Sequence, residues 1–130
     1  MMNSMLELSV VPFESGLSMT LKGDLDHQAE QKIRSVLDWA EGLGDGRRYL
    51  ILNLHEVNYI NSAGMALLIR IARAGRRNHY HTFICGASAH YQKLFRMVGL
   101  TEYVMLYPDE YAAMQRIEAL ESGVGGTGKI

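Results

Sequence analysis

The chain has 130 residues, 48% of them hydrophobic, with 13 basic and 14 acidic side chains and a net charge of −1. That suffices for one domain with its own core, which at this size buries about two-thirds of its unfolded surface and needs no staples. The near-neutral balance argues against an electrostatic binder of DNA, RNA or anionic membrane, and no apolar run approaches the ~20 residues of a membrane span.

Leu6 to Pro12 and Gly16 to Lys22 are short apolar-rich runs, and the break at Phe13-Glu14-Ser15-Gly16 reads as a turn. Leu17, Met19 and Leu21 alternate with Ser18, Thr20 and Lys22, so the pair is expected to be a hairpin. Gly23-Asp24-Leu25-Asp26 interrupts. Ala29, Ile33, Val36, Leu37, Ala40 and Leu43 then recur at helical spacing until Gly44-Asp45-Gly46 stops the helix. Tyr49 to Leu54, "YLILNL", is a near-continuous apolar run. It predicts an interior strand covered on both faces, with a parallel neighbour.

Ser62 to about Arg77 is helical again, with Met65, Leu68, Ile69 and Ala72 inward and Arg70, Arg73 and Arg77 outward. A strand is predicted over His81 to Cys85. Next comes a helix over Ala89 to Val98, with Leu94, Phe95 and Val98 buried and Gly99 at its end. Tyr103 to Leu106 reads as a last strand. Pro108 then opens a C-terminal helix at its first turn, where proline is tolerated, with Met114, Ile117 and Leu120 on the inner face. Two strands followed by alternating helices and strands predict an α/β fold: a mixed, mostly parallel sheet of 4-5 strands, with 4 helices packed mainly on one side. The domain is expected to span 1-121. The Gly-rich remainder, 122-130, has no apolar face and reads as a flexible tail.

The start "MMNSMLELSV" lacks a basic region followed by a long apolar stretch, so no signal peptide is expected. The single cysteine, Cys85, excludes an internal disulfide, fits a reducing cytoplasm and reads as a small buried hydrophobe. Gly123 to Lys129 has P-loop spacing, but a phosphate cradle needs a strand before it, a helix after it and Ser or Thr following the lysine; Ile130 stands there instead. His79 and His81 could share a strand face, but no third ligand has metal spacing, so no metal or cofactor is expected. Ile60-Asn61-Ser62-Ala63-Gly64 lacks the first glycine of a hydrolase nucleophile elbow, and no acid, base and nucleophile converge; the chain reads as non-catalytic. The row Arg70, Arg73, Arg76 and Arg77 is either a solvated face or a docking surface for an acidic partner patch.

Ser62 stands where the stretch "VNYINSAGMALL" passes into a helix. Asn61 or Ser62 can cap that helix. A hydroxyl there is also open to another protein's active site. A phosphate on it would sit beside free amides at the positive end of the helix, tolerated by the fold, and would add a charge of about −1.5 to −2 to the surface.

Three stretches together resemble the STAS domain, in the form of bacterial anti-sigma factor antagonists. "LKGDLDHQAE", residues 21–30, is similar to the G-x-L-D turn before the first helix. "YLILNLHEVNYINSAGMALL", residues 49–68, is similar to the strand, loop and D-S-[ST]-G-[LM] helix start. "FICGASAHYQKLFRMVGLTEYV", residues 83–104, is similar to the strand and helix ending in F-x-x-x-G-L. The resemblance runs from about Leu6 to Leu120. It implies a cytoplasmic regulatory module, monomer or weak dimer, without direct nucleic-acid binding. That module would capture an anti-sigma factor that is a serine kinase of the histidine-kinase-like ATPase type. Phosphorylation of Ser62 would end the capture, and a metal-dependent serine phosphatase would restore it. Asp26, Asn61, Ala63, Gly64 and Met65 would frame the docking surface, with Asp24 at its edge. Two positions depart from the motif: Asn61 replaces its Asp, and Ala63 leaves no second hydroxyl to compete for the phosphate. A constitutive STAS scaffold or lipid-transport subunit is the alternative, and a small-ligand sensor is a third.

Overall fold

The computed structural model describes residues 5–123. Five strands form one sheet in sequence order: β1 (Glu7–Phe13), β2 (Gly16–Leu25), β3 (Tyr49–Ile60), β4 (His81–Cys85) and β5 (Val104–Tyr107). β1 and β2 form the expected antiparallel hairpin, closed at the Phe13–Gly16 pair, and every later pairing is parallel. The "YLILNL" run lies between two parallel neighbours, with Tyr49, Leu50, Ile51, Leu52 and Leu54 all buried. The helices are α1 (Ala29–Val36), α2 (Ser62–Asn78), α3 (Ala89–Met97) and α4 (Glu110–Ser122).

Strand alternation sorts the core into two layers. Leu50, Leu52 and Ile84 face one side, where they pack with Ile33 of α1, Leu67, Leu68 and Ile71 of α2, and Phe95 of α3. Tyr49, Ile51, Phe83 and Cys85 face the other side, where Ala113, Ile117 and Leu120 of α4 cover them. Helices therefore lie mainly on one side, three against one. Polar ties fix α4 at both ends: Ser18 Oγ donates to Glu110 Oε2 at 2.8 Å, and Tyr49 OH and Arg48 both donate to Glu121. Cys85 is fully buried and unpaired, and burial pushes its thiol up to about 12.

Four local readings are corrected. The first helix does not run to Leu43; it ends at Val36, and a single 3-10 turn covers Trp39–Glu41. A continuous helix would have carried Trp39 roughly 240° around from Ile33, into solvent. The break lets the indole reach 3% exposure and leaves Val36 outside. Burying an aromatic surface of that size stabilises by about 4–6 kcal/mol, whereas each lost helix hydrogen bond costs about 1 kcal/mol.

The second concerns the strands. β2 does not stop at Lys22, nor β3 at Leu54; both continue to Leu25 and Ile60 as a two-stranded overhang. β4 pairs only as far as Asn53, so His55–Tyr59 are largely exposed and carry no apolar pattern. Gly23, at φ +115, takes up a register shift; a Cβ there would lie 2.5 Å from the Met5 carbonyl oxygen. Third, Val98 is exposed: α3 ends at Met97, and Leu100, after the left-handed Gly99, fills the core position instead. Fourth, Pro108 lies before α4. Asp109 caps that helix, its Oδ1 accepting from Ala112 N at 2.8 Å. The expected tail beyond Gly123, with most of the P-loop-like stretch, lies outside the described residues.

Two outcomes test this core. Phe83→Ala is expected to lower the unfolding free energy by about 3–5 kcal/mol, seen as a lower urea midpoint at unchanged slope. Cys85 should stay silent to a thiol reagent in the native protein at mildly alkaline pH and react once the chain is unfolded. Prompt labelling of the native chain would contradict its burial.

Candidate functional site

The overhang of β2 and β3 delivers two turns to the start of α2. Asn61 is the N-cap, in extended conformation, and its Oδ1 accepts from Gly64 N at 3.0 Å. Its carbonyl accepts the first helical bond, from Met65 N at 2.9 Å. Asparagine thus performs the capping expected of the motif Asp; the two residues cap about equally well. Ser62 and Ala63 are the first two helical positions, whose amides have no partner within the helix by geometry. The Ser62 side chain is exposed, and no hydrogen bond to its hydroxyl occurs among the described residues.

The Leu25 carbonyl joins the two turns. It accepts from Asn61 N at 3.1 Å. It also lies against Gly64, where a Cβ would come within 2.2 Å of the oxygen and 2.9 Å of Leu25 Cβ. Gly64 therefore permits the helix to approach the strand end at this distance. The next residue, Asp26, shapes the turn into α1: its Oδ1 accepts from Gln28 N at 3.0 Å and its carbonyl from Ala29 N at 3.0 Å.

The structure thus brings Asp26, Asn61, Ser62, Ala63, Gly64 and Met65 together, with Met65 half-buried against the core. Asp24 stands apart. It is in register with Tyr59, one residue before the buried Leu25–Ile60 pair, so alternation turns it to the opposite sheet face. Sequence reasoning missed Tyr91, whose phenol oxygen accepts from Ile60 N at 2.9 Å and ties α3 to the strand end before the cap. Tyr59, an aromatic 54% exposed, pairs in register with Asp24 and faces the opposite side of the sheet with it. Tyr91 stands four residues before the buried Phe95, on the inner face of α3, so apolar spacing reads it as core packing and gives no sign of the phenol's bond to the strand end.

Elsewhere, His79 is the left-handed C-cap of α2 and His81 begins β4, where burial and Arg48 hold its imidazole below the usual range. Among the described residues no group of three His, Cys, Asp or Glu side chains could hold a metal. Among them, too, no helix is long and apolar enough to cross a membrane.

A five-stranded mixed sheet with a hairpin edge, three helices on one face and one on the other, and an exposed serine at the start of the second helix define a class. A family model for the STAS domain matches residues 10–113, and the chain belongs to that family. Within it, the resemblance is to the anti-sigma factor antagonist type. The anti-sigma-B factor antagonist of Staphylococcus aureus (strain NCTC 8325 / PS 47) is 30% identical over 80 residues, covering 62% of this chain and 72% of the relative. The anti-sigma factor antagonist SpoIIAA in its unphosphorylated form matches with a TM-score of 0.69 at 21% identity, over 87% of this chain and 97% of that one. The phosphorylated form of the Bacillus cell fate determinant SpoIIAA matches at 0.66 and 23% identity, over 87% and 99%. The murine Slc26a9 anion transporter matches at 0.70 and 15% identity, over 82% of this chain and 18% of the transporter.

Gly64→Ala is expected to cost about 1–3 kcal/mol, because the added methyl meets backbone that cannot rotate away. Urea unfolding measures it. Ala66→Gly, at an exposed position of the same helix, should cost only about 1 kcal/mol.

Proposed function

We propose that this chain is a non-catalytic partner-switching module that captures an anti-sigma factor in its unphosphorylated form and releases it when Ser62 is phosphorylated. One observation carries the reading: the Ser62 side chain is exposed at the first position of α2, outside the core, and its hydroxyl has no hydrogen bond among the described residues. A phosphate there meets free amides and the positive helix end, a contribution of about 0.3–1 kcal/mol in favour of the helix. The modification is therefore tolerated by the fold, and its effect is directed outward. A partner seated over Asn61, Ala63, Gly64 and Asp26 would then face about two extra negative charges and their desolvation.

The relatives support this reading. The curated ones are named for antagonism of an anti-sigma factor, and SpoIIAA has been solved both with and without phosphate. The partner fitting this role is a serine kinase of the histidine-kinase-like ATPase type, with a serine phosphatase resetting the switch. Asp24, on the other sheet face, belongs at most to the rim of this surface.

Ser62→Ala is expected to capture the purified anti-sigma partner constitutively. Ser62→Asp should lose capture by at least about tenfold, or ~1.4 kcal/mol, with an unchanged circular dichroism spectrum. Equal capture by both variants, with no phosphate on Ser62 by mass spectrometry of the protein from cells, points instead to a constitutive scaffold or transport subunit.

A further inference from the structure

On α2 the arginine row shares a face with Ser62. At 100° per residue, Ser62, Ala66, Arg70, Arg73 and Arg77 fall within about 80° of one another, and all five are exposed. Beside this face, between α1 with its following 3-10 turn and α2, lies a groove of about 340 Å³ lined by Arg34, Trp39, Ala40, Arg70, Arg73 and Arg77.

The chemistry of the lining is one-sided. Arg34 lies over the Trp39 ring, 4.5 Å from its centroid, and bonds Glu30 at 3.2 Å and Asp38 at 3.0 Å. Arg70 bonds the other oxygen of Glu30 at 2.8 Å, and these two arginines hold the Glu30 carboxyl below its usual range. Glu30 and Asp38 are thereby engaged, and they are the acids paired to the groove. Arg73 and Arg77 have no ion pair among the described residues. The buried indole Nε1–H of Trp39 has no acceptor among them either. Every polar side chain lining the groove is a donor. The complement is a row of anionic acceptors.

We infer that this groove docks an acidic protein segment, carried by the partner that covers Ser62; in this it rests on the function proposed above. Length favours a segment over a single phosphate group. Arg70 to Arg77 spans about 10 Å along the helix axis. Within that span Arg73 lies about 4.5 Å from Arg70 and Arg77 about 6 Å from Arg73, so carboxylates three or four residues apart on a helix, or two apart on an extended chain, match successive arginines. Continuity with the Ser62 face favours the same partner: the Ser62 end governs release, and the arginine end supplies attraction and register.

The test uses the full chain, with Trp39, its only tryptophan, as reporter. A glutamate decapeptide is expected to change Trp39 emission saturably, and added salt should weaken the effect. Arg73→Glu combined with Arg77→Glu should weaken peptide binding about tenfold, and the corresponding Gln pair should fall between. Arg116→Glu, on α4 across the sheet, should leave it unchanged. Ser62→Asp should also leave peptide binding within about twofold, since Ser62 lies roughly 12 Å from Arg70 along the axis, beyond one screening length. Intact peptide binding beside failed Ser62 switching would remove the switch and leave the groove; the reverse would remove only the groove. The inference is overturned by an absent or non-saturating change. It is equally overturned if charge reversal at positions 73 and 77 weakens binding no more than reversal at 116. Binding of tripolyphosphate or phosphatidylglycerol vesicles without binding of the peptide also overturns it, in favour of a small-anion or membrane site.

Discussion

The carbonyl of Leu25 is the contact on which the site depends. One oxygen accepts the amide of the cap residue Asn61 and touches the bare Cα face of Gly64. Both contacts require the end of β2 and the start of α2 to meet at backbone distance. That meeting is possible because β2 and β3 run on past the rest of the sheet, in parallel register to the Leu25–Ile60 pair. If the overhang were shorter, the Asp26 turn and the Ser62 turn would belong to separate surfaces. The phenol of Tyr91 closes the arrangement from the α3 side through the amide of Ile60. The serine itself contributes nothing to this framework, so its chemistry can change without loosening the joint.

The architecture was legible because its elements are strongly periodic. The alternation in β2, the apolar run of β3 and the spaced apolar faces of α2 and α4 each admit one reading. What was not legible is instructive. The overhang of β3, His55–Tyr59, is largely exposed because it has a neighbour on one edge only; Val57 alone of the five packs against the core, and one such residue leaves no side-chain pattern. The end of α1 was hidden because the apolar spacing continues through Leu37 and Ala40, while the deciding term is the burial of one large indole off that face. Val98 was misplaced by two positions for a related reason: the left-handed Gly99 hands its core role to Leu100. Local composition cannot weigh such tertiary exchanges.

The site divides in the same way. Asn61, Ser62 and Gly64 announce a helix start in any context, and their grouping with Asp26 follows from the motif order. Asp24 and Asp26 look equivalent in sequence, two residues apart. Yet the period of two in a strand applies only while the strand lasts, and it lasts through Leu25. Asp24 is therefore a strand residue facing the far side, and Asp26 a turn residue at the site. The arginine row was visible as a row. Its function as one wall of a groove needed Trp39 and Arg34 from the far side of the α1 break, which no spacing rule joins to α2.

The same fold stands alone in SpoIIAA and forms under a fifth of an anion transporter, 18% of that chain, so the sheet and its helices do not by themselves dictate a role. In the proposed switch, the role turns on where a charge would fall on α2. At the first position, a phosphate completes amides that the helix leaves open and aligns with its dipole. At the other end, near Arg76 and Asn78, it would oppose the dipole and crowd the last carbonyls, and the cost would be taken by the fold. A phosphate at Ser62, as proposed, would thus separate signal from stability. In the proposed switch, the helix accepts the charge with little strain, so the energy of modification is expressed at the surface the partner must cover. The arginines lie far enough along the same face that they do not neutralise it. Attraction and release can then be set independently on one helix, by residues that share a face but not a screening length.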